Sequence, residues 1–338
     1  MIKVAIVGTG FMAKTHLDAY KKIDNVNVVA VTAINEEKGK KFAEENDCLY
    51  LSNIESILSD KSIDVIDICT PTFTHEQLVI KSAEAGKHIL CEKPISLTLE
   101  SVDRMIEATE NAGVIFMVGQ LLRFWPEYME LKKIIDSDML GDVHMIYANR
   151  LAQHPEWGEW FKDPAKSGGG LFDLHLHDID FIYHVFGEVD TIYAIGKQNA
   201  LGAWNHVLTN ITFKNGTKAA VESSYEMPEG FPFTMTFRAS GNLGTADFQF
   251  SAGVNLEDLD ASESKFYVFD KKKTNIQTVK IEEIDPYNNE LDYFINCIKN
   301  NKAPEKMLPK ENREVLRIML AIKNSLETGE IIKFDNLI

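Results

Sequence analysis

The first thirteen residues restrict this chain more than any other segment. Val4-Ala5-Ile6-Val7 is a continuous apolar run of strand type, and it feeds directly into Gly8-Thr9-Gly10-Phe11-Met12-Ala13, a G-x-G-x-x-A turn. A helix is expected over residues 12–22 behind it. Strand, glycine turn and helix in that order form the arrangement that grips a dinucleotide. Gly8 permits the tight turn, Gly10 lets the backbone approach a pyrophosphate, and Ala13 keeps helix and strand close. The helix N-terminus offers N–H donors to the phosphates.

At 338 residues the chain exceeds the usual size of a single core, so two domains are expected, 1–121 and 122–338. Fifty-one acidic against 35 basic residues give a net charge of −16, which argues for solubility and against a nucleic-acid or anionic-membrane partner. Lys271-Lys272-Lys273 reads as a solvated turn. Cys48, Cys69, Cys91 and Cys297 are far apart without a C-x-x-C pair, so neither a disulfide framework nor a zinc knuckle is indicated, and a reducing cytoplasm is the expected location. No leader or membrane-spanning stretch is expected.

Periodicity continues the opening pattern. Strand Val26–Thr32, helix Glu36–Asn46, strand Ile63–Cys69, helix His75–Glu84, strand His88–Cys91, helix Leu99–Ala112 and strand Val114–Val118 alternate, which predicts a doubly wound parallel sheet of α/β class. After the expected helix Pro126–Asp136 the pattern changes. Val143–Leu151, Val189–Lys197, Val207–Phe213, Thr217–Glu226, Phe233–Ser240 and Lys265–Asp270 read as strands joined by short turns, followed by a late helix Glu311–Leu326. The second domain is therefore expected to be α+β, with a large, open, mostly antiparallel sheet and helices on one face. Its other face needs a cover, and a homodimer or homotetramer through that sheet is expected.

Three segments carry groups able to move protons. Cys91-Glu92-Lys93-Pro94 ends the fifth strand, and the carboxyl ends of such strands form the ligand crevice, which puts Lys93 near the cofactor. Lys93 either shares in proton transfer or holds a substrate hydroxyl, or it is a surface lysine paired with Glu92. Gly168-Gly169-Gly170 brings backbone close to something bulky and opens a helical pattern, on which Asp173 and His177 share a face at i and i+4. A carboxylate orients an imidazole, so His177 is the candidate to take a hydroxyl proton. Two other readings stay open: Asp173, His175, His177 and Asp178 as metal ligands, and the histidines as hydrogen-bonded core residues. Metal is not favoured, because alternate residues on a helix point apart. Finally Arg123, Trp157 and Trp160 supply a fixed cation and indoles near the expected domain junction, which suits sugar rings and polyols, although single tryptophans are commoner in cores.

Together the G-x-G-x-x-A turn, Cys69-Thr70-Pro71 with His75, Glu92-Lys93-Pro94 and the G-G-x-x-x-D-x-x-x-H segment resemble the glucose–fructose oxidoreductase, inositol dehydrogenase and MocA family over essentially the whole chain. The resemblance implies a Rossmann domain with an open-sheet α/β domain, and oxidation or reduction of a sugar, cyclic polyol or derivative with NAD(P). It implies Lys93, Asp173 and His177 as the catalytic set and Gly8, Thr9, Gly10, Phe11 and Met12 at the pyrophosphate. Thr70, Pro71, His75, Glu92 and Gln120 fall on the nicotinamide side, and Tyr287 faces the substrate with Arg123, Trp157, Trp160 and His175. His175 departs from the family pattern, where glycine is common, and adds a hydrogen-bonding or titrating group.

The cofactor preference also departs. An acidic residue normally ends the second strand and binds the ribose 2′-hydroxyl; here Ala33 takes that place inside Val31-Thr32-Ala33-Ile34-Asn35. Thr32 and Asn35 offer hydrogen bonds and Lys38 adds charge, so NADP acceptance is expected alongside NAD. Two rival functions remain in view: a glycosidase or epimerase that uses tightly held NAD for a transient oxidation, and a non-catalytic dinucleotide-sensing protein.

Overall fold

The opening apolar run becomes β1 (Ile2–Val7), an inner strand of a parallel sheet, in the computed structural model of the protein, which describes residues 1–155, 158–253, 262–271, 277–281 and 284–336. β2 (Val26–Thr32), β3 (Leu49–Tyr50), β4 (Val65–Ile68), β5 (His88–Cys91) and β6 (Phe116–Val118) complete that sheet in the order β3-β2-β1-β4-β5-β6, every pairing parallel. This is the strand order of a doubly wound dinucleotide-binding sheet. β4 is buried at every position, as a strand covered on both faces must be. The order reverses between β1 and β4, and the ends of β1, β4 and β5 deliver Gly8, Thr70 and Glu92-Lys93 to that switch point, where such sheets take their ligands.

The chain divides into two compact units, Met1–Phe124 with Ile284–Leu316, and Trp125–Glu283 with Arg317–Ile338. A single cut after residue 121 thus leaves out a segment that returns to the first unit. The reason is apolar. The helix Pro286–Lys299 starts at an Asp285 cap and a first-turn proline, and it buries Leu291, Phe294 and Ile295 in one cluster with Ala13, Leu17 and Tyr20 of the helix Phe11–Tyr20.

In the second unit β7 (Val143–Leu151), β8 (Val189–Gln198), β9 (Trp204–Phe213), β10 (Lys218–Ser224), β11 (Thr234–Gly241), β12 (Gly244–Ser251), β13 (Glu263–Asp270), β14 (Gln277–Thr278) and β15 (Ile332–Lys333) form one sheet. Among the described residues its nine strands run β14-β13-β12-β11-β7-β10-β9-β8-β15, with β7 and β10 parallel and every other pair antiparallel. Burial alternates along β7: Ile146, Ala148 and Arg150 are buried, whereas Met145 is exposed. On the buried face Tyr128 of helix Pro126–Asp136 and Phe181 of helix Leu176–Phe186 meet edge to face at 4.8 Å, and Tyr128 meets Phe237 at 6.1 Å and Phe248 at 5.5 Å. The sheet also leaves Tyr193, Ile195 and Phe269 exposed with Met145. Among the described residues no helix is long and apolar enough to cross a membrane.

Candidate functional site

The glycine turn has the geometry its sequence demands. Gly8 has φ +118°, and a Cβ there would lie 2.2 Å from the Cys69 carbonyl oxygen, so a side chain does not fit. Around Gly10 a Cβ would meet nothing within 4 Å. Gly10 opens the helix Phe11–Tyr20 and brings no side-chain cap to its N–H groups, which leaves a bare helix N-terminus of the kind that receives a pyrophosphate. Thr9, Phe11 and Met12 are part-exposed or exposed there, whereas Ala13 is wholly buried. The residues present fit a dinucleotide.

At the end of β2 the structure separates the expected ribose contacts. Thr32 is buried in the sheet rather than presented to a ligand, because it is the last paired residue beside β1. Asn35 and Lys38 are exposed, and the Asn35 carboxamide oxygen accepts the Lys38 N–H at 2.9 Å to cap the helix Glu36–Glu45. Ala33 is half-buried, and its carbonyl accepts from the Tyr50 hydroxyl at 3.4 Å.

The ends of β4 and β5 are braced from beneath. Thr70 and Thr74 hydroxyls lie 2.7 Å apart, and Thr74 donates to the Pro71 carbonyl at 2.7 Å. His75 places its ring nitrogens 2.8 Å from the Thr70 carbonyl and 2.9 Å from that of Pro94, and burial pulls its pKa down. Being wholly buried, His75 braces the two loops and does not itself meet a cofactor. Lys93 is half-buried, and its N–H donates to Glu92 Oε2 at 3.0 Å.

Glu92 is buried and belongs to an ionisable cluster that sequence reading did not anticipate. Its Oε1 lies 3.1 Å from His16 Nε2, and His16 Nδ1 lies 2.8 Å from Asp67 Oδ2. Burial works against a charged His16, but Asp67 and Cys69 outweigh it and lift its pKa well above the ordinary range. Burial likewise opposes the Glu92 carboxylate, yet His16 and Lys93 hold its pKa below normal. Tyr287 packs its ring 6.3 Å from that of His16, and burial pushes its hydroxyl pKa up. Glu290 accepts the Gln120 N–H at 2.9 Å, and burial, followed by the Glu92 charge, pushes its pKa up to about 8. His16, Asp67 and Cys69 also bring three potential metal donors within 4.8 Å of one another, already hydrogen-bonded among themselves. An acid inside the otherwise apolar Val65-Ile66-Asp67-Ile68 was the available sequence signal.

Two residues expected to meet ligands are structural instead. Arg123 is buried and donates to Glu311 Oε2 at 2.6 Å, so its charge is committed inside the first unit. Gln120 is buried, and its side chain donates to Asn312 Oδ1 at 2.6 Å.

In the second unit the glycine run accommodates the protein's own strands. Gly168 and Gly169 have φ +75° and +67°; a Cβ on Gly169 would lie 2.8 Å from that of Ala203, and one on Gly170 would lie 3.1 Å from the Tyr225 ring. The Gly170 N–H donates to Asn205 Oδ1 at 2.9 Å. Leu171–His175 then form a π turn that leads into helix Leu176–Phe186. Asp173, on that turn, is buried and accepts the Tyr225 hydroxyl at 2.5 Å. Burial and the Asp173 charge push the Tyr225 pKa well up, so the phenol keeps its proton. His177 stands half-buried on the next turn.

His175 takes a different role from the expected one. It is wholly buried with Nε2 2.8 Å from Thr209 Oγ1 in β9, and burial pulls its pKa down to about 3, so it is a neutral core imidazole. Asp178 is equally buried: Arg150 Nε reaches Oδ2 at 2.9 Å and Nη2 reaches Oδ1 at 3.1 Å, which removes it as a metal ligand. Trp160 is half-buried and meets Phe161 at 5.6 Å. Phe161 in turn meets Tyr225 at 6.0 Å, and the exposed His154 meets Phe161 at 5.9 Å and Tyr225 at 6.3 Å. An aromatic series thus leads from the Asp173 partner toward the surface. Trp157 lies outside the described residues.

Comparison with known proteins agrees with both units. A profile of the oxidoreductase family with an NAD-binding Rossmann fold matches residues 2–120, and one of the GFO/IDH/MocA C-terminal domain matches residues 128–247. The chain is 31% identical over 240 residues to the uncharacterized oxidoreductase YrbE of Bacillus subtilis (strain 168), covering 68% of this chain and 69% of that protein. It is 25% identical over 346 residues to myo-inositol 2-dehydrogenase of Thermotoga maritima, covering 100% of each. Its fold is similar to that of levoglucosan dehydrogenase solved with NADH and L-sorbose, with TM-score 0.87, 23% identity and 98% of both chains covered.

Proposed function

The chain belongs to the GFO/IDH/MocA oxidoreductase family, and from that premise we propose that it moves a hydride between a nicotinamide and a hydroxyl-bearing carbon of a pyranose sugar or cyclic polyol. The observation that carries this reading is Asp173, a buried carboxylate fixed by Tyr225, one turn before the half-buried His177, with Phe161 and His154 against the Tyr225 ring and Trp160 against Phe161. Aromatic faces suit the C–H faces of sugar rings, and the carboxylate and imidazole suit their hydroxyls.

A bound nicotinamide would supply the hydride acceptor or donor. The chain's own residues handle the rest. His177 takes the proton of the substrate hydroxyl in the oxidative direction and returns it in the reductive one. Asp173 orients the imidazole and fixes its tautomer. Lys93 holds and polarises the substrate oxygen. Gly8, Gly10 and the N–H groups of Phe11 and Met12 receive the pyrophosphate.

Both cofactors are expected to bind, because Ala33 places no carboxylate against a 2′-phosphate and Lys38 adds an exposed cation. NADH binding about a hundredfold tighter than NADPH binding would contradict this. We further propose that the sheet face bearing Met145, Tyr193 and Ile195 pairs with a second copy, for which a monomer on gel filtration would be decisive evidence against. Four free thiols support a reducing compartment such as the cytoplasm.

The test is a panel of hexoses, inositols and nucleotide sugars with NAD or NADP, read by absorbance of the reduced cofactor. Turnover on at least one panel member supports the reading. A cofactor that survives purification without net reduction points to transient oxidation instead, and intact binding without turnover across the panel points to a sensor.

A further inference from the structure

We propose that His16 is a positioning residue for Lys93: a buried imidazole that pins the Glu92-Lys93-Pro94 turn to the helix rising from the dinucleotide loop. The inference rests on the role given to Lys93 above. Three separate segments meet at this ring. Nδ1 contacts Asp67 Oδ2 of β4 at 2.8 Å, Nε2 faces Glu92 Oε1 beyond β5 at 3.1 Å, and the ring itself belongs to the helix that Gly10 begins.

An ionised carboxylate can only accept, so Nδ1 carries the N–H that meets Asp67, while Nε2 faces Glu92 Oε1 across 3.1 Å. The contact with Glu92 lies at ion-pair distance and makes no hydrogen bond. The second Glu92 oxygen takes the Lys93 N–H at 3.0 Å. One carboxylate therefore joins the ring to the backbone from which the Lys93 side chain springs. Packing alone does not call for this arrangement, because apolar residues of similar volume commonly fill such a site at no loss of stability. What the ion pairs add is a fixed distance between the helix that receives the pyrophosphate and the turn that carries Lys93.

The test is hydrogen exchange of the whole protein, read by mass spectrometry on the segment 91–95, for the parent and for the double variant His16→Gln, Asp67→Asn, which removes both charges together. The Lys93 amide is expected to exchange faster in the variant while β1 keeps its protection. NADH affinity is expected to stay intact, and kcat on the panel sugar is expected to fall by roughly 10- to 100-fold at unchanged KM. Equal protection of the Lys93 amide overturns the proposal, as does a parallel loss of NADH affinity and turnover. Should the double variant not fold, His16→Gln alone is read in the same way: a faster-exchanging Lys93 amide is expected, and an unchanged one overturns the proposal. If the parent turns over no panel sugar, the role assigned to Lys93 fails, and the exchange result still decides whether His16 holds the turn.

Discussion

Tyr225 donates its phenolic hydrogen to Asp173 across 2.5 Å, tying the helix entry that follows the glycine run to the residue that follows β10. The carboxylate is thereby oriented from the sheet side before any substrate arrives. Tyr225→Phe removes that donor and leaves a buried acceptor short of a partner, at a cost of about 1–3 kcal/mol in denaturant unfolding. Turnover is expected to fall by roughly 10- to 100-fold because the carboxylate loses its fixed direction. Unchanged kcat in a folded Tyr225→Phe protein would assign the tyrosine to packing alone.

Arg150 and Asp178 form a bidentate pair inside the second unit, with Tyr128 Oη 3.2 Å from the guanidinium. Removing one partner strands a buried charge. Asp178→Ala is expected to lower unfolding stability by about 3–5 kcal/mol in urea, and the apolar pair Arg150→Met, Asp178→Leu to recover most of that loss. A double variant no more stable than Asp178→Ala would show that the pair is needed for more than charge compensation.

Glu290 makes stability depend on pH in a stated direction. Its folded pKa is about 8 against an ordinary 4.5, so the folded protein holds this proton more tightly than the unfolded chain. The stabilisation is complete below the ordinary value and is lost as pH rises through about 8. His16, also raised, acts in the same direction. Thermal unfolding is expected to occur at falling temperature as the buffer goes from mildly acidic to alkaline, and Glu290→Gln, which keeps the acceptor for Gln120, is expected to flatten that slope. An unaltered slope in Glu290→Gln would place the titration elsewhere.

Gly8→Ala tests the nucleotide turn. The added Cβ meets the Cys69 carbonyl at 2.2 Å with φ at +118°, so the β1 turn and the end of β4 must separate. Loss of NADH binding, with any residual folded protein showing a lowered unfolding temperature, is the expected outcome in a fluorescence titration. Binding at parental affinity would mean that the turn does not hold the pyrophosphate.

The class of both sheets was legible because its signals are local, although β12 (Gly244–Ser251), between β11 and β13, was missed. Val4–Val7 with Gly8 and Gly10, and the apolar positions Ile146 and Ala148 along β7, record burial in the period of the residues themselves. The helix Pro286–Lys299 was not read from the sequence, and only packing on Leu17 and Tyr20 shows why it returns to the first unit. Partners were the least legible. Asp173 was singled out by its motif, but Tyr225, His16 and Asp67 act across strands, and which acid meets which ring depends on register rather than spacing. The same blindness misled the reading of Arg123, Thr32 and His175, whose polar atoms suggested ligands and whose burial commits them to the fold. The glycine run was read as backbone brought close to something bulky, and Ala203, Asn205 and Tyr225 are what stand against it.

The most direct measurement compares turnover and NADH dissociation constant for the parent and His177→Ala, using the sugar that the panel identifies. A kcat lower by about 100-fold or more at an unchanged dissociation constant is the expected result, as for loss of a proton-transfer group. Parallel loss of turnover and cofactor affinity, or unimpaired turnover, would contradict the assignment of proton transfer to His177.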